Sequence, residues 1–155
     1  MKIGVKQKVN GFSFLELMIG LAVLLVLASL AISSNHTKLD KVALMQAQLD
    51  LLNFAAKMEE FKLVNGTYIG AAGTKAKQQA VGTPWVYQNY SPSTEAFEQA
   101  KYRLSIESAD KVSFVLLAKP LTDNLQGLRY HSGGQKYWDQ NSDGVFTSDE
   151  MCWKC

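Results

Sequence analysis

The stretch GFSFLELMIGLAVLLVLASLAIS, Gly11 to Ser33, restricts this chain more than any other. From Phe12 to Ile32 it is apolar apart from a few small polar residues and a single charge, Glu16. A helix rising about 1.5 Å per residue crosses the ~30 Å hydrocarbon layer of a bilayer with about 20 residues, so this run is long enough to span one. An ionised carboxylate inside such a helix costs roughly 2.5–3.5 kcal/mol, and less towards the end, where Glu16 stands and can reach the interface. Protonation, snorkelling towards the headgroups or a cationic partner would each relieve that cost. The preceding segment MKIGVKQKVNG carries Lys2, Lys6 and Lys8 and no acid. Such a segment stays in the cytoplasm, which sends the rest of the chain across the membrane. A secretory signal peptide would leave a small-x-small cleavage site behind the apolar run, and LAISSNHTKLD offers only a loose one. Cleavage ahead of the run would leave the span attached.

Gly11 followed by Phe12, with Glu16 in the fifth place of the trimmed chain, resembles the class III signal of type IV pilins and their pseudopilin relatives. The likeness covers the leader and the apolar run and is loose beyond them. It implies that a dedicated prepilin peptidase cuts between Gly11 and Phe12 and methylates the new Phe12 amine. It also implies that Glu16 neutralises the amine of a neighbouring subunit when apolar helices bundle into a filament core. A buried charge is tolerable when paired and expensive when not, so Glu16 would penalise the lone subunit and reward docking. The implied organisation is a cleaved leader at 1–11, a transmembrane and filament-core helix at 12–34, and an exported globular domain at 35–155 that includes the second half of the helix. The implied fold class is α+β, the type IV pilin fold, a long N-terminal helix packed by its C-terminal half on a small antiparallel sheet. Implied partners are other pilin subunits, the prepilin peptidase, the inner membrane and the pilus assembly platform. The protein would be stored in the inner membrane and then move into a surface filament serving adhesion or motility. One departure stands out: many pilins carry a helix-bending proline near the end of the apolar half, and LASLAISSNH has none.

The remaining residues agree with one modest domain on an anchor. The chain of 155 residues has a formal charge of +2, and without the three lysines of the leader it turns slightly acidic. There is no basic surplus for nucleic acid, and none is expected as a partner. Roughly 110 residues beyond the apolar run are close to the commonest domain size. Leu44, Ala47, Leu51, Phe54, Ala55, Met58 and Phe61 recur at spacings of three and four, which predicts an amphipathic helix. Lys41, Asp50, Lys57 and Glu60 are expected largely off its apolar face. With no proline or glycine between Leu21 and Val64, one helix should run from the apolar segment to Asn65-Gly66. KYRLSIES alternates Tyr102, Leu104 and Ile106 inward with Arg103, Ser105 and Glu107 outward, and KVSFVLLAKP follows a short turn, which predicts a hairpin. GLRYHS, Gly133-Gly134 and QKYWD predict a second, shorter one. Residues 66–100 read as a long irregular connection, in which Trp85, Tyr87 and Tyr90 serve either packing or recognition.

No catalytic constellation appears. His36 and His131 are isolated, there is no nucleophile–base pair and no phosphate loop, so an enzyme is not expected. Asn65-Gly66-Thr67 matches the glycosylation acceptor pattern, but a helix-terminating Asn-Gly is the simpler explanation.

Two features remain near the C-terminus. Cys152 and Cys155 in CWKC have the spacing of a thioredoxin-like pair, but that chemistry needs a helix starting at the first cysteine, and here the chain stops. In an exported protein a structural disulfide is the better reading, gaining only about 2 kcal/mol over so short a loop. Pilins usually close a larger loop, so something else must hold the segment before it. DQNSDGVFTSDE places Asp139, Asn141, Asp143, Val145, Thr147 and Glu150 at positions 1, 3, 5, 7, 9 and 12 of an EF-hand calcium loop, with Gly144 at 6. The flanks are not EF-hand helices, so a lone structural calcium loop is expected. The reading is therefore a minor pilin-like subunit with a calcium-stabilised C-terminal loop. A pseudopilin of a type II secretion system shares the N-terminal features. A membrane-anchored calcium-binding or thiol-disulfide protein is the alternative from another class.

Overall fold

The computed structural model describes residues 13–153, without the side chains of 28–38. It divides into two compact units, Met1–Lys38 and Leu39–Cys155. One helix, α1 (Phe14–Asn65), contributes to both. In the first unit its described side chains, from Phe14 to Leu27, are exposed on every side, as a helix without a polar face must be when nothing covers it. Among the described residues no helix is long and apolar enough to cross a membrane. The span expected at 12–34 reaches past the described side chains at both ends, so that expectation lies partly outside the described residues.

The helix stops where its sequence says it should. Gly66 adopts a left-handed conformation, φ +72°, and its amide donates to the Lys62 carbonyl at 2.7 Å. The Asn65 side chain donates to the Phe61 carbonyl at 2.8 Å, and the Gly66 amide fills one of the acceptors left open at the helix end.

In the second unit the stripe behaves as its periodicity predicts. Ala47, Leu51, Phe54, Ala55, Met58 and Phe61 are buried, with Leu44 packed at the margin. Removing a large side chain such as Leu51 or Phe54 from water contributes roughly 1.5–3 kcal/mol each. The cover is a five-stranded antiparallel sheet in the order β3-β4-β5-β6-β7. Its strands are β3 (Tyr90–Ser91), β4 (Tyr102–Ala109), β5 (Phe114–Pro120), β6 (Leu128–His131) and β7 (Lys136–Trp138). Tyr102, Leu104 and Ile106 point into the core together with Phe114, Leu116, Ala118 and Leu128. Both expected hairpins form, β4 with β5 and β6 with β7. A register irregularity between Ile106 and Ser108 leaves Glu107 outside the ladder, a shift that alternation alone does not announce. The turn between β4 and β5 is closed by Asp110, whose carboxylate accepts from the Val112 and Ser113 amides and the Ser113 hydroxyl. The Ser113 hydroxyl first, and then these amides, hold that carboxyl below its ordinary pKa.

The connection at 66–100 is less irregular than its composition implies. β1 (Ala72–Gly73) pairs with β2 (Gln78–Gln79), and β3 lengthens the main sheet. Its aromatic residues pack. Tyr87 stacks on Phe54 with ring centres 5.3 Å apart, and Trp85 meets the edge of Phe61 at 5.8 Å while its indole N–H donates to the Gly70 carbonyl. Tyr90 rests against Phe97 instead.

Candidate functional site

Three places in the described chain bear on function: the start of α1, a buried carboxylate midway along it, and the loop that follows β7.

Glu16 stands in the first turn of α1, where a negative charge suits the exposed amides and the helix dipole. Its own amide and that of Leu17 close on the Ser13 carbonyl at 3.0 and 3.2 Å. The side chain is exposed, so its carboxylate remains open to an outside partner. Gly11 and Phe12, the residues expected at the processing point, lie outside the described residues, and the pairing of Glu16 with a Phe12 amine goes with them.

Asp50 is the residue whose sequence reading is overturned. Expected off the apolar face, it is fully buried, three residues from Ala47 and four from Phe54 on the stripe itself. A buried carboxylate without compensation costs several kcal/mol. Here the compensation comes entirely from the 87–93 segment. The Ser91 hydroxyl donates to Oδ2 at 2.5 Å and the Ser93 amide to the same oxygen at 3.0 Å. The Ser93 hydroxyl donates to Oδ1 at 2.6 Å, and the Tyr87 hydroxyl reaches it at 3.2 Å. Burial first of all pushes the Tyr87 phenol up in pKa, and the negative charge of Asp50 adds to the shift. The arrangement bolts the connection onto the helix. The signal was present in the sequence as an acid at stripe spacing with a hydroxyl-rich YSPS downstream.

The loop at 139–150 closes on its own acids. Asp139 is buried, its Oδ1 accepting the Asp143 amide at 3.1 Å and its Oδ2 the Gly144 amide at 3.0 Å. Asn141 Oδ1 also takes the Asp143 amide, and Asp143 Oδ1 takes that of Val145. Ser142 and Gly144 bend the loop through positive φ, +58° and +77°, the second at the place where the calcium-loop pattern asks for glycine. Buried Glu150 accepts the Thr147 amide and hydroxyl with one oxygen and the Gln140 amide with the other, joining the two ends of the loop. Side-chain oxygens of Asp139, Asn141, Asp143, Thr147 and Glu150 with the Val145 carbonyl form an all-oxygen donor set, which suits a hard cation in chemistry. Among the described residues, however, no three His, Cys, Asp or Glu side chains are gathered closely enough to hold a metal ion.

Phe146 ties the loop to the sheet, its ring lying 4.2 Å from the Arg129 guanidinium, which itself pairs with Glu107 at 2.5 Å. Beyond the loop, Trp153 donates its indole N–H to the Tyr137 carbonyl on β7 at 3.0 Å and accepts from Gln48 of α1 at 3.4 Å. The disulfide expected between Cys152 and Cys155 would end on a residue outside the described set.

Comparison with known proteins touches one part of the chain. Residues 6–32 match the family of the prokaryotic N-terminal methylation motif, the class III signal typical of type IV pilins and pseudopilins. No curated protein and no solved structure matches the chain.

Proposed function

We propose that this chain is a minor type IV pilin-like subunit, a structural protein rather than an enzyme, stored in the inner membrane by its N-terminal helix and polymerised through it. One observation carries the reading. The methylation motif at 6–32 leads directly into a continuous helix whose later half packs on an antiparallel sheet, which is the α+β arrangement of the pilin fold. The motif implies processing by a prepilin peptidase, anchoring in the inner membrane and assembly with other subunits. Intact-mass measurement of the protein from its native host is expected to show a chain beginning at Phe12 with one added methyl group. A chain still starting at Met1, or one cut near Ser33, would remove the basis of the proposal. The same motif serves a type II secretion pseudopilin, and the two uses separate by where the processed subunit is found: in sheared surface filaments for a pilin, retained in the envelope for a pseudopilin.

The loop at 139–150 belongs to this reading as a structural calcium site, to be held by Asp139, Asn141, Asp143, Val145, Thr147 and Glu150 once the ion draws together acids that stand apart without it. Support comes from the complete ligand spacing, the all-oxygen donor set and the left-handed turn at Gly144. Bound calcium would supply positive charge to a loop carrying several acids, while Asp139 and Glu150 already hold its ends together through backbone amides. Extracellular modules bind with Kd near 10⁻⁴ M; at about 1 mM calcium such a site adds roughly 1.4 kcal/mol to the folded state. The full chain in detergent micelles is therefore expected to melt several degrees higher in calcium than in chelator, and Asp143→Ala to abolish the difference. Superimposable melting curves for the parent protein would leave the loop to its own amides.

A further inference from the structure

Within the 139–150 loop one apolar ring meets the sheet, and the sheet is shaped to receive it. Asp139 and Glu150 are buried at the two ends, residues 140–145 are exposed, and Phe146 is half-buried between them. Bringing the acids onto one ion therefore means ordering mainly the 140–145 half, provided Phe146 keeps the other half in place.

Three residues outside the loop hold that ring. Gly127 precedes β6, and a Cβ there would stand 3.3 Å from the Phe146 ring and 3.6 Å from Asp139, so any side chain would crowd both. Its carbonyl accepts the Asp139 amide at 3.0 Å, so the same residue also fixes the first position of the loop. Arg129, two residues on, lays its guanidinium 4.2 Å from the ring centre. Its Nε is buried and, among the described residues, has no hydrogen-bond partner. The ring compensates for that donor, because a cation over an aromatic face is attracted more strongly once it is desolvated. Glu107 supplies the third part. It stands in β4, with β5 between it and β6, and the register irregularity between Ile106 and Ser108 falls on it. Bulges re-aim side chains, and this carboxylate meets Arg129 Nη2 at 2.5 Å. An exposed ion pair adds little stability by itself; here it keeps the guanidinium turned to the ring.

We propose that Gly127, Arg129 and Glu107 are positioning residues for calcium: they seat Phe146 and so set the affinity of the loop for the ion. The inference rests on the calcium reading of that loop. Its physical basis is preorganisation, since each residue that must be fixed on binding costs backbone entropy that a seated residue has already lost. A cavity of about 430 Å³ beside the seat, lined on the loop side by Asp139, Ser142 and Gly144, leaves room for the exposed half to close without displacing the ring. The test is calorimetric titration of the full chain in detergent micelles with calcium chloride. Phe146→Ala is expected to weaken binding roughly tenfold, the effect of about one further residue to order, and Phe146→Tyr to restore it, because the ring face is kept. Gly127→Ala should weaken binding by a similar factor through crowding, and Glu107→Gln, at an exposed position away from the core, by about threefold. A parent chain that takes up no calcium would remove the calcium reading and this inference with it. A parent that binds, with Phe146→Ala and Gly127→Ala binding as tightly or Phe146→Tyr no better than Phe146→Ala, would overturn the seat alone. Should Phe146→Ala or Gly127→Ala fail to fold, Glu107→Gln carries the comparison, and parent-level affinity in that variant overturns the seat.

Discussion

Asp50→Ala is expected to destabilise the fold by about 2–4 kcal/mol, the cost of leaving several hydrogen-bond donors without their shared acceptor. The carboxylate is the common acceptor for the Tyr87, Ser91 and Ser93 hydroxyls and the Ser93 amide. Removing it strands the buried Ser91 hydroxyl, at roughly 1–3 kcal/mol, and deprives the half-buried Tyr87 and Ser93 donors, which can turn in part to water or to each other at a smaller cost. Asp50→Asn keeps the shape but replaces one acceptor oxygen with a donor facing hydroxyls and an amide, so it should recover only part of the loss. Ser91→Ala and Ser93→Ala should each cost less than Asp50→Ala and combine non-additively, since they share one carboxylate. Thermal and urea unfolding of the full chain in detergent micelles would measure all four. An Asp50→Ala protein within about 1 kcal/mol of the parent would mean that the 87–93 segment is held by packing of Tyr87 on Phe54 alone.

Glu16→Gln is expected to leave the folded domain intact and suppress assembly. If the carboxylate meets the Phe12 amine of a neighbour, its loss leaves that amine buried and unpaired, at roughly 3–5 kcal/mol per docked subunit, a hundredfold or more in the docking equilibrium. Glu16 belongs to the unit Met1–Lys38, while the core and sheet belong to Leu39–Cys155, so the melting temperature should not move. The measurement is the amount of variant in sheared filaments against the amount in the membrane. Parent-level recovery in filaments would show that assembly ignores the charge.

The parts of the fold legible in the sequence are those where one face is buried along a regular element. Helical spacing from Leu44 to Phe61 and alternation from Tyr102 to Glu107 both record which side meets the core. Where an element is too short to repeat, the record vanishes: β1, β2 and β3 have two residues each and leave no period to read. Asp50 escaped for another reason. A charge is ordinarily taken to face water, and its partners lie 37 to 43 positions away, so only the folded chain shows that they meet it. The 139–150 loop sits between these cases. Spacing announced a sharp bend at Gly144, because it follows from local chain geometry. It did not announce that the acids would turn to backbone amides, since the direction of a carboxylate is settled by whichever donors lie nearest.

The contact between Gln48 and Trp153 spans 105 positions, and it makes the order of synthesis matter. Ribosomes extend a chain at roughly 5–20 residues per second, so the middle of α1 waits about 5–20 s before Trp153 exists to meet it. For the first part of that interval, until β4 and β5 have been made, Leu51, Phe54 and Met58 have no sheet over them, and the newborn chain carries a second greasy stripe directly behind its first. Whatever handles the chain during those seconds must keep that stripe from being mistaken for more of the apolar run.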